Sequence, residues 1–367
     1  MKNTIYPALI TGALSTVRYP GTGKNLVEAN MVADDIRIAG DTVSFSLVFD
    51  RETDPFRASV TKAAQAAVLR AAPEAQVTVN NIFRHAPEPP KAPVLPGVKN
   101  IIAVSSGKGG VGKSTVAVNL AVALAAEGYK VGLLDADIYG PSLPRMFGVE
   151  NAEIYMHEVD GRNLIIPLEK YGVKLLSIGF LVDPAKAVVW RGSMASNALR
   201  QLISDADWGE LDYFVLDLPP GTSDIHLTLV QTLGITGALV VTTPQEVAVA
   251  DARKGVAMFR DPKIDVPVLG IVENMAWFTP ESHPDEKYFI FGKGDAVRRL
   301  SEEYDVPVIA QIPLVQAVGD HSDTGVPIVL EPTASSMAFF HLAHEVIDAV
   351  DKRNASLPPT HKVEVNK

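Results

Sequence analysis

The chain has 367 residues, of which 47% are hydrophobic and 21% charged, enough to bury one large core and a smaller one, so two domains are expected. Its formal net charge of −10 opposes generic adhesion to nucleic acid or to an anionic membrane surface, and neither partner is expected. There is no cysteine, which excludes disulfides, thiolate metal sites and cysteine nucleophiles within these residues. No run of about 18 uninterrupted apolar residues occurs, and the first residues lack the apolar stretch of a signal peptide, so a cytoplasmic location is expected.

Residues 1–85 predict a small α-β-β-α-β domain. A helix is expected over 5–17, then a glycine-rich turn at Tyr19-Pro20-Gly21-Thr22-Gly23. Val43, Phe45, Leu47 and Phe49 alternate with Thr42, Ser44 and Ser46, the period-two signature of a half-buried strand. Ile36 and Ile38 supply its hairpin partner across Gly40-Asp41. An alanine-rich stretch over 56–72 favours helix, and 76–80 a last strand. Residues 86–97 hold Pro87, Pro89, Pro90, Pro93 and Pro96, which stiffen the chain as an extended connector and mark a domain boundary.

From Val98 onward apolar strands alternate with helical patterns, which predicts a doubly wound, mostly parallel α/β sheet over 98–353, followed by a flexible tail at 354–367. The first strand runs into Gly107-Lys108-Gly109-Gly110-Val111-Gly112-Lys113-Ser114-Thr115. This satisfies G-x-x-x-x-G-K-[ST], and the strand before and helix after are the context that the pattern requires. These nine residues are the candidate nucleotide-binding loop. The glycines lack a Cβ, so backbone N–H groups can approach phosphate oxygens, while Lys113 neutralises their charge. The helix opening near Lys113 points its positive end at the same anion, and Ser114 offers a hydroxyl to Mg²⁺.

The next strand, with Gly128 placed to cap the helix before it, ends in Asp135-Ala136-Asp137. Carboxylates at the C-terminal ends of such strands face the ligand crevice, and Asp135 is expected to support Mg²⁺. Asp212-Tyr-Phe-Val-Leu-Asp217 is an apolar strand ending where one carboxylate would hold the metal's hydration shell. Gly221-Thr222-Ser223-Asp224 follows as a loop able to sense a γ-phosphate. Further strands are expected over 238–243, 268–273 and 306–312. Asn274, at a strand end, either meets an adenine edge or closes the strand as a turn residue. An amphipathic helix is expected over 337–350.

Lys108, inside the loop, makes it resemble the deviant P-loop ATPases, the group of the nitrogenase iron protein, MinD, ParA and Mrp. The resemblance implies a P-loop NTPase fold, an ATP-dependent homodimer in which Lys108 reaches the partner's nucleotide, and Asp137 as the switch aspartate orienting the attacking water. Asp135-Ala-Asp-Ile-Tyr-Gly-Pro-Ser-Leu-Pro144, Trp190-Arg-Gly-Ser-Met194, Leu218-Pro-Pro-Gly-Thr222 and Glu273-Asn-Met275 narrow it. They resemble the Mrp/ApbC family of iron–sulfur cluster carrier ATPases, to which a similar N-terminal domain is commonly fused.

That family usually carries C-x-x-C shortly after the Glu-Asn-Met segment, with four thiolates from two subunits holding a [4Fe–4S] cluster. Here the segment has no cysteine, so the usual cluster site cannot form. His283, Asp285 and Glu286 do not by themselves make a metal site, which wants three or four converging ligands. Two readings follow. One is a slow Mg-ATPase serving iron–sulfur assembly, through non-thiolate ligands or with a cysteine-bearing scaffold or apo-protein client. The other is a cluster-free, ATP-dependent dimerisation switch recruiting a client through the loop near Trp277 and Phe278, two aromatics that equally suit plain core packing. A small-molecule kinase would need an arginine-rich lid that is not evident.

Overall fold

The computed structural model describes residues 5–84, 94–159, 161–180, 192–280, 282–283 and 285–360. Most of the proline-rich connector, and Trp190 and Arg191, lie outside them. The chain divides into two compact units, 1–91 and 92–367.

The first unit has the expected order: α1 (Pro7–Leu14), β1 (Arg37–Ala39), β2 (Thr42–Phe49), α2 (Arg57–Ala71) and β3 (Gln76–Phe83). Helix α1 is shorter than its apolar pattern. Pro7 starts it in the position where a missing N–H costs nothing, and the Ser15 and Thr16 hydroxyls donate to the carbonyls of Gly12 and Ala13 as it ends. β1 and β2 form the hairpin across Gly40-Asp41, with Gly40 at φ 61°, the left-handed backbone that a two-residue hairpin turn demands. β3 joins β2 in parallel. Val43, Phe45, Leu47 and Phe49 point into one core with Ile10, Leu14 and α2's Val60, Ala64 and Val68. Their period of two is therefore a burial pattern.

The second unit runs β4 (Val98–Ser106), α3 (Lys113–Ala126), β5 (Val131–Asp135), α4 (Leu143–Met146), β6 (Met156–Val159), β7 (Arg162–Ile165), β8 (Leu168–Lys170), β9 (Val173–Ser177), α5 (Gly192–Ser204), β10 (Leu211–Asp217) and α6 (Asp224–Thr232). It continues through β11 (Gly237–Thr242), α7 (Glu246–Phe259), β12 (Val268–Phe278), α8 (Asp295–Tyr304), β13 (Val308–Leu314), α9 (Gln316–Thr324) and α10 (Ala334–Ser356). Eight strands make one sheet in the order β13-β12-β11-β4-β10-β5-β9-β8. All neighbours are parallel except β8 against β9. β6 and β7 form a separate hairpin.

Alternate residues of the central strands feed two cores. Ala103, Leu216 and Val240 join residues of α5, α6, α7 and α8 on one face. Ile102, Val104, Val215 and Val241 join α3 and α10 on the other. Both faces are covered, which is why the central strands read as continuous apolar runs. Helix α3 is buried on nearly every side, and its one mid-helix amide, Asn119, is fully satisfied: Nδ2 donates to Thr115 O at 2.8 Å and Oδ1 accepts from Val329 N at 3.1 Å. Gly128, at φ 92°, follows the C-cap of α3.

Three stretches depart from expectation. β12 continues past Glu273 to Phe278, because Phe278 exchanges backbone hydrogen bonds with Tyr288. The terminal helix extends from Ala334 to Ser356, started by a capping box in which Thr333 and Ser336 each receive the other's backbone N–H. Residues 354–356, expected in a flexible tail, therefore belong to the helix, and Thr360 Oγ1 donates to Gly234 O at 3.1 Å. Among the described residues, no helix is long and apolar enough to cross a membrane.

Candidate nucleotide site

The site lies where β4, the central strand, ends between β10 and β11. Chain leaving β4 passes into α3 and returns as β5, with β10 inserted between, so the crevice at the strands' C-terminal ends opens there. Gly110 and Gly112 stand at φ 82° and 80°, a conformation that carries almost no penalty only for glycine. A Cβ on Gly110 would meet nothing within 4 Å, so the loop presents open backbone. Gly107 is glycine for a different reason: a Cβ there would lie 2.1 Å from the carbonyl carbon of Asp251 in α7.

Lys113 is 6% exposed and lies against carboxylates from two strand ends. Its Nζ is 2.5 Å from Asp217 Oδ1, 3.7 Å from Asp137 Oδ2 and 3.2 Å from Ser114 Oγ. A buried ammonium needs such partners. Asp217 is wholly buried, and its Oδ2 has no hydrogen-bond partner among the described residues. The Asp217 carboxylate and the Ser114 hydroxyl, each contacted by the Lys113 ammonium, are oxygen donors suited to a hard divalent cation such as Mg²⁺.

Asp135 pairs with Asp217 across adjacent strands. Burial, and then the charge of Asp217, raise its carboxyl above the ordinary range. Unlike Asp217, it is fully engaged: Oδ1 accepts from Asp137 N at 3.1 Å, and Oδ2 from Ser177 Oγ at 2.9 Å and Leu143 N at 3.3 Å. Asp135 thus holds the loop that carries Asp137. Burial also raises Asp137, against the lowering effect of Lys113.

Asn274 is 6% exposed, and its Nδ2 donates to Val111 O at 2.8 Å. Its amide nitrogen is committed to the phosphate loop. The next residue, Met275, stands at φ 54°, an uncommon conformation for a side-chain-bearing residue, within the register shift between Asn274 and Phe278. The irregularity delivers the Asn274 amide to the loop. Lys108 and Thr222 are exposed on the site's rim, and Thr115, in the first turn of α3, accepts the Asn119 amide through its carbonyl.

His226 is a residue that the sequence pattern alone does not single out. It is the third residue of α6, 1% exposed, and its Nδ1 accepts from Ser223 N at 3.1 Å. Burial first, with Lys113 adding to it against the Ser223 hydrogen bond, pushes its imidazole down to about 4. Ser-x-x-His was the available signal, but that box usually ends in Glu or Gln.

Trp277 and Phe278 lie in a strand, the packing alternative, and Phe278 bridges to the segment of Tyr288. Both are half-buried in β12, with the Lys287 ammonium 3.8 Å from the centre of the Trp277 ring. The exposed apolar residues are Tyr288, Phe289 and Ile290. His283 Nδ1 contacts the Ser282 hydroxyl, and Glu286 accepts from Tyr288. No group of three or more His, Asp or Glu able to hold a metal occurs among the described residues.

A glycine-cradled lysine at the end of the central parallel strand, with an open aspartate on the neighbouring strand, defines a P-loop nucleotide-binding protein. The profile of the NUBPL iron-transfer P-loop NTPases matches residues 97–348, and that of an iron–sulfur cluster assembly protein domain matches 8–80. The chain belongs to the NUBPL iron-transfer P-loop NTPase family. A Synechocystis relative named iron–sulfur cluster carrier protein is 43% identical over 92% of this chain and 96% of its own length. An Escherichia coli relative of the same name is 53% identical over 65% of this chain and 63% of its own. Among solved structures, a nucleotide-binding protein from Archaeoglobus fulgidus in complex with ADP is 39% identical, with a TM-score of 0.56 over 67% of this chain and 93% of its own. The septum site-determining protein MinD of Pyrococcus horikoshii, 23% identical at TM-score 0.50 over 69% of this chain and 98% of its own, shares the fold.

Proposed function

We propose that this protein binds and slowly hydrolyses Mg-ATP as a cytoplasmic homodimer in iron–sulfur cluster assembly or transfer. Its cargo is a cluster held by a cysteine-bearing scaffold or apo-protein client. The observation that carries the reading is Lys113 paired to Asp217 beneath a left-handed glycine loop, with the second Asp217 oxygen open. In binding, phosphate oxygens replace carboxylates as partners of Lys113 and accept from the loop amides from Gly107 to Thr115. Ser114 and Asp217 would hold Mg²⁺, which supplies charge neutralisation at the phosphates, with Asp135 supporting them. Asp137 orients the attacking water, and Lys108 from a second copy offsets γ-phosphate charge. Asn274 steadies the loop through its N–H and keeps Oδ1 for the adenine edge.

The absence of cysteine does not fit a thiolate-held [4Fe–4S] cluster on this chain. No step is therefore assigned to a cluster bound here. The relatives' name, iron–sulfur cluster carrier protein, supports work in the same pathway, and in this reading the partner supplies the thiolates. The exposed Tyr288, Phe289 and Ile290 favour a second reading, a cluster-free switch that docks a protein client on this segment. Equilibrium titration with Mg-ATP and Mg-ADP, followed by turnover, tests the nucleotide part: Lys113→Met should abolish both, and unchanged binding would sink it.

A further inference from the structure

We infer that His226 is a positioning residue for nucleotide hydrolysis, an imidazole that pins the loop after Asp217 in the geometry turnover requires. The inference rests on the ATPase reading above. The loop is fastened on both sides of one exposed residue. Gly221 N–H donates to Ser106 O at 2.8 Å, where β4 enters the phosphate loop. Ser223 N–H donates to His226 Nδ1 at 3.1 Å. Thr222, between them, is exposed, and two hydrogen bonds therefore set where its backbone and hydroxyl can go.

The ring's other nitrogen is the second observation. With Nδ1 accepting a backbone N–H, Nε2 carries the proton. That Nε2 is buried with no partner among the described residues. An unmatched buried donor is a burden of about 1–3 kcal/mol, and a glutamine here, though it could complete the Ser223 cap through Oε1, would bring two amide N–H donors where the imidazole brings one. A glutamate would satisfy the cap too, but would bring a negative charge toward Lys113 and Asp217. The neutral ring closes the loop without altering the charge balance between Lys113, Asp137 and Asp217, on which phosphate binding depends.

The test compares His226→Ala and His226→Gln with the full-length parent. It measures kcat, KM, Mg-ADP affinity and the hydrogen exchange of residues 218–226 with Mg-ADP and with a non-hydrolysable ATP analogue. His226→Ala should lower kcat about tenfold with Mg-ADP affinity within about twofold, while His226→Gln recovers to within about threefold. The analogue should slow exchange of the loop in the parent and in His226→Gln but not in His226→Ala. A purely structural residue would lower the melting temperature and the active fraction without changing kcat per bound nucleotide, and that result would overturn the proposal. Turnover in His226→Gln about tenfold or more below the parent would also overturn it, since the cap is restored there; this arm stands if the alanine variant does not fold. If the parent itself shows no turnover, the ATPase reading fails separately, and the exchange response still decides whether His226 controls the loop.

Discussion

The Asn274 side chain donates to the carbonyl of Val111 at 2.8 Å, joining β12, at its register shift, to the middle of the phosphate loop. Loop and strand are far apart in sequence, and this buried bond is a direct tie between them. Asn274→Ala leaves the Val111 carbonyl without that donor, and unfolding should cost about 1–2 kcal/mol less. Asn274→Asp sets a carboxylate against the same carbonyl and should be worse. Denaturant titrations of the three proteins check the order, together with weaker Mg-ADP binding in both variants.

Lys113 lies between Asp217 and Asp137 at 6% exposure. Its removal leaves buried carboxylates facing one another, so Lys113→Met should destabilise the protein by about 3 kcal/mol as well as abolish nucleotide binding. Adding Asp217→Asn removes the uncompensated charge. The double variant should regain most of the stability and none of the binding, which a melting series with and without Mg-ADP reads directly.

Gly107 carries the closest backbone approach in the loop, with a built Cβ 2.1 Å from Asp251 C. Gly107→Ala must push α7 away from β4, and overpacking of this kind costs about 1–3 kcal/mol. Gly110, whose Cβ would meet nothing within 4 Å, should instead tolerate alanine for folding apart from its left-handed backbone, and lose phosphate binding. Melting temperature and affinity should therefore separate the two glycines.

How much of this was legible follows physical range. The phosphate loop is a local pattern between a strand and a helix, and the central strands announce themselves as apolar runs because both faces are buried. The α-β-β-α-β order of the first unit rests on a two-residue turn and on period-two burial, which are also local. The antiparallel β8 on β9, the β6–β7 hairpin and the extension of β12 through Tyr288 depend on partners that periodicity does not name. Asn274 stands out in the sequence as an amide after an apolar strand, but β12 runs on to Phe278, and its partner Val111 is not legible, since the positive φ at Met275 that aims it is a tertiary outcome. His226 looked like an ordinary helical residue until burial removed its solvent.

His226 also gives the protein a pH signature. Its imidazole is held at about 4 against an ordinary 6.5, so between those values the unfolded chain binds a proton that the folded chain refuses. Its stabilising contribution is fully present above about pH 6.5 and is lost as pH falls toward 4, at most about 3 kcal/mol. Asp135, Asp137 and Glu273, all raised chiefly by burial, act with the opposite sign: their contribution is present at low pH and lost as pH rises through their folded values. The parent profile mixes both, so the difference between His226→Gln and parent is the informative quantity. The variant's relative melting temperature should rise by roughly 5 °C between pH 7 and pH 5, and a flat difference would contradict the burial argument.

Lys108 is exposed at the loop. If it serves a second copy's nucleotide, Lys108→Ala should lower turnover at least about tenfold with affinity changed less than about threefold. Parent turnover per chain should rise with protein concentration. Equal losses in turnover and affinity would make Lys108 a simple binding residue.

The most direct measurement is iron and acid-labile sulfide content, with visible absorption, after anaerobic reconstitution of the full chain alone, with and without Mg-ATP, alongside turnover. Mg-ATP hydrolysis is expected with no stoichiometric iron on this cysteine-free chain, and cluster transfer only when a thiol-bearing partner is added. Stoichiometric iron with a broad visible band would show that the chain holds a cluster through its own non-thiolate ligands and would contradict the account.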